Sequence, residues 1–205
     1  MHLRINDVTV SPARVDELGR VLSDKALPVV TNERGNQGLL CVADRATGNC
    51  MIVSLWDSRG SLDASEKAIA SIRSETVDAV DAQLNSIGIA EVVREVRVRP
   101  SQVGNRTRVV RITAPAGSTD ELVDFYDTVA TSRLEAEPGF LNARLTRDLG
   151  NDGQFAAVSH WADVAALEAS DNTSGSLRDE VAKAIPGTTI ERVSTAEIIL
   201  IELPT

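Results

Sequence analysis

Two stretches decide the fold of this chain: Gly38–Ser65, GLLCVADRATGNCMIVSLWDSRGSLDAS, and Gly139–Ser170, GFLNARLTRDLGNDGQFAAVSHWADVAALEAS. Laid on each other they repeat Gly, Leu, an Asn-bearing turn, Ser-x-Trp, Leu and Ala-Ser in one order. Their spacing drifts by only a few residues, as loop insertions produce. The flanks repeat as well: Val8-Thr9-Val10 answers Ile112-Thr113-Ala114, and Ala90-Glu91-Val92-Val93 answers Ala196-Glu197-Ile198-Ile199. This alignment sets Cys41 against Asn142 and Leu55 against His160. The chain reads as two copies of one unit of about a hundred residues, a usual domain size.

Each copy predicts the same elements. Leu3–Val10 and Arg106–Ala114 alternate as strands. A helix follows, opened by Ser11-Pro12 in one copy and by the capping box Ser118-Thr119-Asp120-Glu121 in the other. Val15, Leu18 and Leu22, and then Leu122, Phe125 and Val129, keep helical spacing. Two strands joined by turn-rich Asp44–Asn49 and Gly150–Gly153 come next. Helical regions at 61–84 and 163–185 follow, the second expected to break at Asn172–Ser176, and strands at 90–98 and 190–203 close the copies.

The order is β-α-β-β-α-β, twice: a split βαβ, ferredoxin-like unit with helices on one sheet face and the other face bare. A bare apolar face is buried against something. The expected fold class is therefore α+β, with two tandem ferredoxin-like βαββαβ repeats packed sheet to sheet as an intramolecular dimeric α+β barrel. The expected divisions are repeat 1–99, linker 100–105 and repeat 106–205. So short a linker fits two independent domains on a string less well.

Composition narrows the function. With 205 residues, 42% hydrophobic and 25% charged, the chain can bury a core, which excludes disorder. Its 21 basic and 30 acidic side chains give a net charge of -9, which disfavours nucleic acid as a partner. No run of about 18 apolar residues exists to span a membrane. MHLRINDVTV has no basic segment followed by an apolar one, so the expected location is cytoplasmic. Cys41 and Cys50 flank a hairpin turn; with the turn at Thr47-Gly48, Cys41 faces Ser54, and free buried thiols are expected. No Cys/His cluster has metal-ligand spacing, so no metal is expected.

The pattern resembles the dimeric α+β barrel superfamily, which includes the antibiotic biosynthesis monooxygenase (ABM) domain and related haem-degrading enzymes. The resemblance rests on the repeat order, on Pro138-Gly139-Phe140 leading into a strand, and on Trp56 with Leu62 and Trp161 with Leu167. It implies a tandem version of what is usually a one-domain homodimer, and an ABM-type oxidoreductase that needs no cofactor. Haem-degrading relatives carry an Asn in the first strand, where Asn6 stands. They also carry a Trp nine residues past the strand-end Trp and a haem-ligating His further on. Ser65 and Ser170 occupy the first of those places and Glu75 the second. Many monooxygenase-type relatives have a His where the two serines stand. Haem degradation thus ranks third among the functions considered.

Where the copies differ, one half can have specialised. Five of the six aromatic residues lie in the second copy: Phe125, Tyr126, Phe140, Phe155 and Trp161. His160 lies there too, and a histidine titrating near neutral pH is the candidate general base. Period-two alternation sets it opposite the face of Phe155 and Trp161, so a structural histidine is the competing reading. The candidate substrate-binding residues are Tyr126, Asn142, Phe125, Phe155, Trp161 and Asn6. Asn142 is placed on the face of Phe140 and Arg144. The expected function is cofactor-independent monooxygenation of a small aromatic or quinol-type substrate, sited in the second copy. The alternative is a non-catalytic barrel that binds an apolar ligand or serves assembly. The expected partners are a small apolar or aromatic molecule and the chain's own other half as a pseudo-dimer, with a further homodimer left open.

Overall fold

The computed structural model describes residues 1–203, and of Arg192 only the backbone; Pro204 and Thr205, the end of the second repeat, lie outside the described residues. The strands are β1 (His2–Thr9), β2 (Asn36–Ala43), β3 (Asn49–Trp56), β4 (Gln83–Arg97), β5 (Arg106–Thr113), β6 (Phe140–Asp148), β7 (Gln154–Trp161) and β8 (Thr189–Glu202). The helices are α1 (Val15–Val21), α2 (Leu27–Asn32), α3 (Arg59–Ala64), α4 (Glu66–Ala79), α5 (Thr119–Phe125), α6 (Thr131–Ala136), α7 (Val164–Ala169) and α8 (Asp171–Ala184). The strands follow the order β1-β3-β2-β8-β5-β7-β6-β4 in an eight-stranded barrel. No helix among the described residues is long and apolar enough to cross a membrane.

Two compact units emerge, one of residues 1–90 with the chain from Ala196, the other of residues 91–195. Each closing strand therefore serves both. In the first unit the end of β8 pairs antiparallel with β2, from Leu39 opposite Glu202 to Ala43 opposite Glu197. In the second unit the end of β4 lies by β6, where Arg144 and Arg147 bond Glu95 and Glu91. Each unit buries an apolar cluster between its helices and its sheet: Val8, Leu18, Leu22, Trp56 and Leu62 in the first, Ile112, Leu122, Tyr126, Leu145 and Trp161 in the second.

Several local expectations are corrected. Ser118 stands at the N-cap of α5 but makes no side-chain cap bond; its hydroxyl donates to the Pro115 carbonyl at 2.6 Å. Side-chain caps form at α3 and α7, where Ser58 accepts from the Ser61 N–H at 3.1 Å and Asp163 from the Ala166 N–H at 2.8 Å. The last helix runs unbroken through Asn172–Ser176, and the break falls at Ser170, as it falls at Ser65 in the first unit. β4 begins at Gln83 rather than Ala90 because Asp81, at φ 49°, reverses the chain as soon as α4 ends. A single π-helical turn interrupts each first helix, at Leu22–Ala26 and Tyr126–Ala130.

The register of β2 corrects the alignment. Each copy has a β-bulge, at Asn36–Gly38 and at Phe140–Asn142. The glycine matching Gly139 is Gly35, not Gly38: both have positive φ, 82° and 80°, and each carbonyl accepts from the residue after the Trp, Asp57 and Ala162. Gly38 thus answers Asn142, and Cys41 answers Leu145. Cys41 lies opposite Ile52, while Ser54 lies opposite Leu39. Cys41 and Cys50 are free and buried, and burial raises both thiols, Cys50 to about 11. Neither is a thiolate nucleophile at neutral pH.

Candidate functional site

The frame of the site is a duplicated arginine that the sequence reading missed. Arg4 on β1 is 1% exposed. It donates to the Leu62 carbonyl at 2.6 Å and to Ser65 Oγ at 3.1 Å, and lies 5.7 Å from the centre of the Trp56 ring. Arg108 on β5 repeats this, with Leu167 O and Ser170 Oγ both at 2.7 Å and Trp161 at 5.7 Å. Each indole N–H donates to a strand serine, Trp56 to Ser54 at 3.0 Å and Trp161 to Ser159 at 2.9 Å. Ser65 and Ser170 therefore pin the junctions α3–α4 and α7–α8. The signal was present: Val8-Thr9-Val10 against Ile112-Thr113-Ala114 already places Arg4 on Arg108. Burial lowers both arginine pKa values, with Glu66 and Asp171 opposing it; an arginine stays charged regardless.

Behind this frame, each unit holds a cavity between helices and sheet, of about 80 Å³ in the second and about 40 Å³ in the first. The walls use equivalent positions. Ala157 and Ser174 of the larger cavity stand where the smaller has Ile52 and Ile69, which accounts for the added room. The larger is walled by Val110, Ile112, Leu122, Phe125, Leu134 and Leu145, with Arg108, Ser159, Ser174 and Arg178 as its polar members. The π-helical turn supplies Tyr126 and Ala130 to it, as the first unit's supplies Leu22 and Ala26. Tyr126 is 5% exposed, and its hydroxyl has no hydrogen-bond partner among the described residues. Burial, and then the nearby Asp127, raise its pKa well above the phenolic value, so it remains a donor.

The predicted site residues separate into groups. Tyr126 and Phe125 share the larger cavity. Asn6 lines the smaller one, donating to the Ile52 carbonyl at 3.3 Å and accepting from Arg73 at 3.2 Å. Phe155 and Trp161 lie in the second core, where Phe140 meets Trp161 edge-on at 5.5 Å. The bulge moves Asn142 off the face of Phe140 and sets it beside His160. Ser101, between β4 and β5, joins them: its Oγ is 2.8 Å from His160 Nδ1 and accepts from Asn142 Nδ2 at 2.7 Å. Burial, with Arg144 adding to it, lowers the His160 pKa to about 3. His160 is thus neutral, on the sheet face away from Tyr126, and the two do not meet. No group of three or more His, Cys, Asp or Glu able to hold a metal occurs among the described residues.

Tandem ferredoxin-like repeats in an eight-stranded barrel, with a cavity under each helical layer, define a protein of the dimeric α+β barrel class. Residues 106–181 match the antibiotic biosynthesis monooxygenase family. Two uncharacterised proteins of Mycobacterium tuberculosis are similar to the chain. One is 22% identical over 76% of this chain and 68% of its own length. The other is 25% identical over 72% of this chain, which spans 62% of that relative. Among solved structures, a candidate monooxygenase of Fusobacterium nucleatum superposes with a TM-score of 0.70 at 16% identity, covering 98% of this chain and 94% of its own. An anthrone oxidase-like protein gives 0.65 at 15%, covering 98% and 93%. At these identities the structural likeness is one of fold.

Proposed function

We propose that the protein is a cofactor-independent monooxygenase acting on a small aromatic or quinol-type substrate in the cavity of the second unit. One observation carries this reading: an apolar cavity walled by a buried tyrosine whose hydroxyl has no partner among the described residues. A buried donor left unpaired costs about 1–3 kcal/mol, which a substrate oxygen accepting from it would relieve. The ABM match of this repeat supports the chemistry, and the anthrone oxidase-like fold relative points to the same substrate class.

In such a reaction the ionised substrate reduces O2 directly. With an anthrone-type substrate a ring methylene becomes a carbonyl, and with a quinol a ring C–H becomes C–OH as the quinol becomes the quinone; either way four electrons leave the substrate, one atom of O2 enters the product and the other leaves as water. The wall's ionisable groups, Arg108, Arg178 and Tyr126, include no base at neutral pH. Their part is to favour the substrate anion by charge and by one hydrogen bond, its proton passing to solvent. A second reading, non-catalytic binding of an apolar ligand, draws support from that missing base.

Oxygen uptake with a panel of hydroquinones and anthrone-type compounds separates the two. Tyr126→Phe is expected to lower kcat/KM about tenfold, the worth of one hydrogen bond in a dry site, without lowering thermal stability. Ligands that bind without uptake by the wild type would establish the non-catalytic reading instead.

A further inference from the structure

The two cavities are built from equivalent positions, so each is a control for the other. Arg73 of α4 and Arg178 of α8 occupy the same place on the two walls. In the first unit Arg73 is tied down: Nη2 meets Glu66 at 2.8 Å, and Nη1 donates to Asn6 Oδ1 at 3.2 Å. Glu66 holds Arg4 at 2.8 Å with its other oxygen. Both ties are lost in the second unit. Asp171, one methylene shorter than Glu66, pairs with Arg108, and Val110 stands where Asn6 does.

Arg178 keeps one hydrogen bond, from Nη1 to Ser174 Oγ at 2.9 Å, and has no carboxylate partner among the described residues. The charge count is equal, two arginines and one carboxylate in each frame; the difference lies in whether the second arginine is held. A half-buried guanidinium with free donors thus borders an otherwise apolar cavity. Such a cation recovers its desolvation cost from an anion placed beside it.

We infer that the second cavity selects an aromatic acid, a single-ring monoanion whose carboxylate pairs with Arg178 beside Ser174 while its ring lies among Phe125, Leu134 and Tyr126. This narrows the substrate class of the oxygenase reading and rests on that reading's choice of cavity. The first cavity, its arginine occupied, has no such preference.

Calorimetric titration of the full chain under anaerobic conditions, with 2,5-dihydroxybenzoate and its neutral isostere 2,5-dihydroxybenzamide, tests this. The acid is expected to bind about tenfold more tightly or better, with a margin that shrinks at high salt. Arg178→Gln should bring the acid to the level of the amide and leave the amide within about twofold. Asp171→Glu, which restores the first unit's carboxylate and keeps the arginine, should do the same; circular dichroism melting confirms that both variants fold. Equal binding of acid and amide, no binding of either at millimolar concentration, or equal weakening of both by Arg178→Gln overturns the inference. Oxygen uptake is scored separately. An acid preference without uptake refutes only the oxygenase reading, and uptake of a neutral hydroquinone without a charge preference refutes only this one.

Discussion

Replacing Arg108 by alanine is expected to destabilise the second unit by about 3–5 kcal/mol, the loss of two buried hydrogen bonds from a charged donor at about 1.5–3 kcal/mol each. The side chain is 3% exposed, and its loss takes a partner from three groups at once. The Leu167 carbonyl at the end of α7 is left with Ser170 Oγ as its side-chain donor, Ser170 loses one bond, and the face of Trp161 loses the guanidinium stacked on it. The ion pair contributes little, because the Asp171 side chain is 68% exposed and screened by water. Arg108→Lys should recover only part of the loss, since an ammonium cannot span the carbonyl and the hydroxyl while lying flat on the indole. Urea unfolding measures the effect, and a loss below about 1 kcal/mol for Arg108→Ala would show that the junction is held by other contacts. Arg4→Ala makes the matching test in the first unit, with Glu66 at 2.8 Å in the place of Asp171.

How much of this was legible in the sequence depended on the range of the signal. The repeat is a long pattern with several landmarks, and it survives loop insertions, so the order of elements and the tandem fold could be read. The register of β2 could not, because a bulge has no local composition of its own and Gly38 offered a false partner for Gly139. The closing strand β4 hid its start in polar Gln83, Asn85 and Ser86, the last two with partners on β1: Asn85 donates to Thr9 and Ser86 to Asp7. The break at Ser170 is set by Arg108, distant in sequence, and no helix propensity reports it. The aromatic asymmetry did lead to Tyr126, since a ring in place of Leu22 changes the cavity it lines. It could not separate Phe155 and Trp161, which fill the core, from Phe125, which reaches the cavity wall. Alternation did separate His160 from Trp161, but the serine between β4 and β5 that partners His160 carries no motif.

That histidine sets the second large expectation: lowering the pH from 7 to 5 should cost about 2 kcal/mol of stability through His160 alone. Burial first, and Arg144 second, depress its folded pKa from 6.5 to about 3. The unfolded chain therefore takes up a proton that the native state refuses. Stability from this group is complete above 6.5 and is lost as the pH falls from there towards 3, at about 1.4 kcal/mol per pH unit. The hydrogen bonds agree with the sign. Asn142 donates to Ser101 Oγ, which lies 2.8 Å from Nδ1; no carboxylate is among these partners to stabilise a protonated ring. Glu17, Glu95 and Glu180, whose folded pKa values lie below the usual carboxylate range, lose their contribution mainly below pH 5, which leaves the interval from 5 to 6.5 to the histidine. His160→Gln keeps a hydrogen-bonding group for Ser101 and cannot titrate, so its urea midpoint should stay nearly flat between pH 7 and 5 while that of the wild type falls. Parallel losses in the two proteins would mean that His160 protonates in place, and that the segment between β4 and β5 opens easily enough to let water reach it.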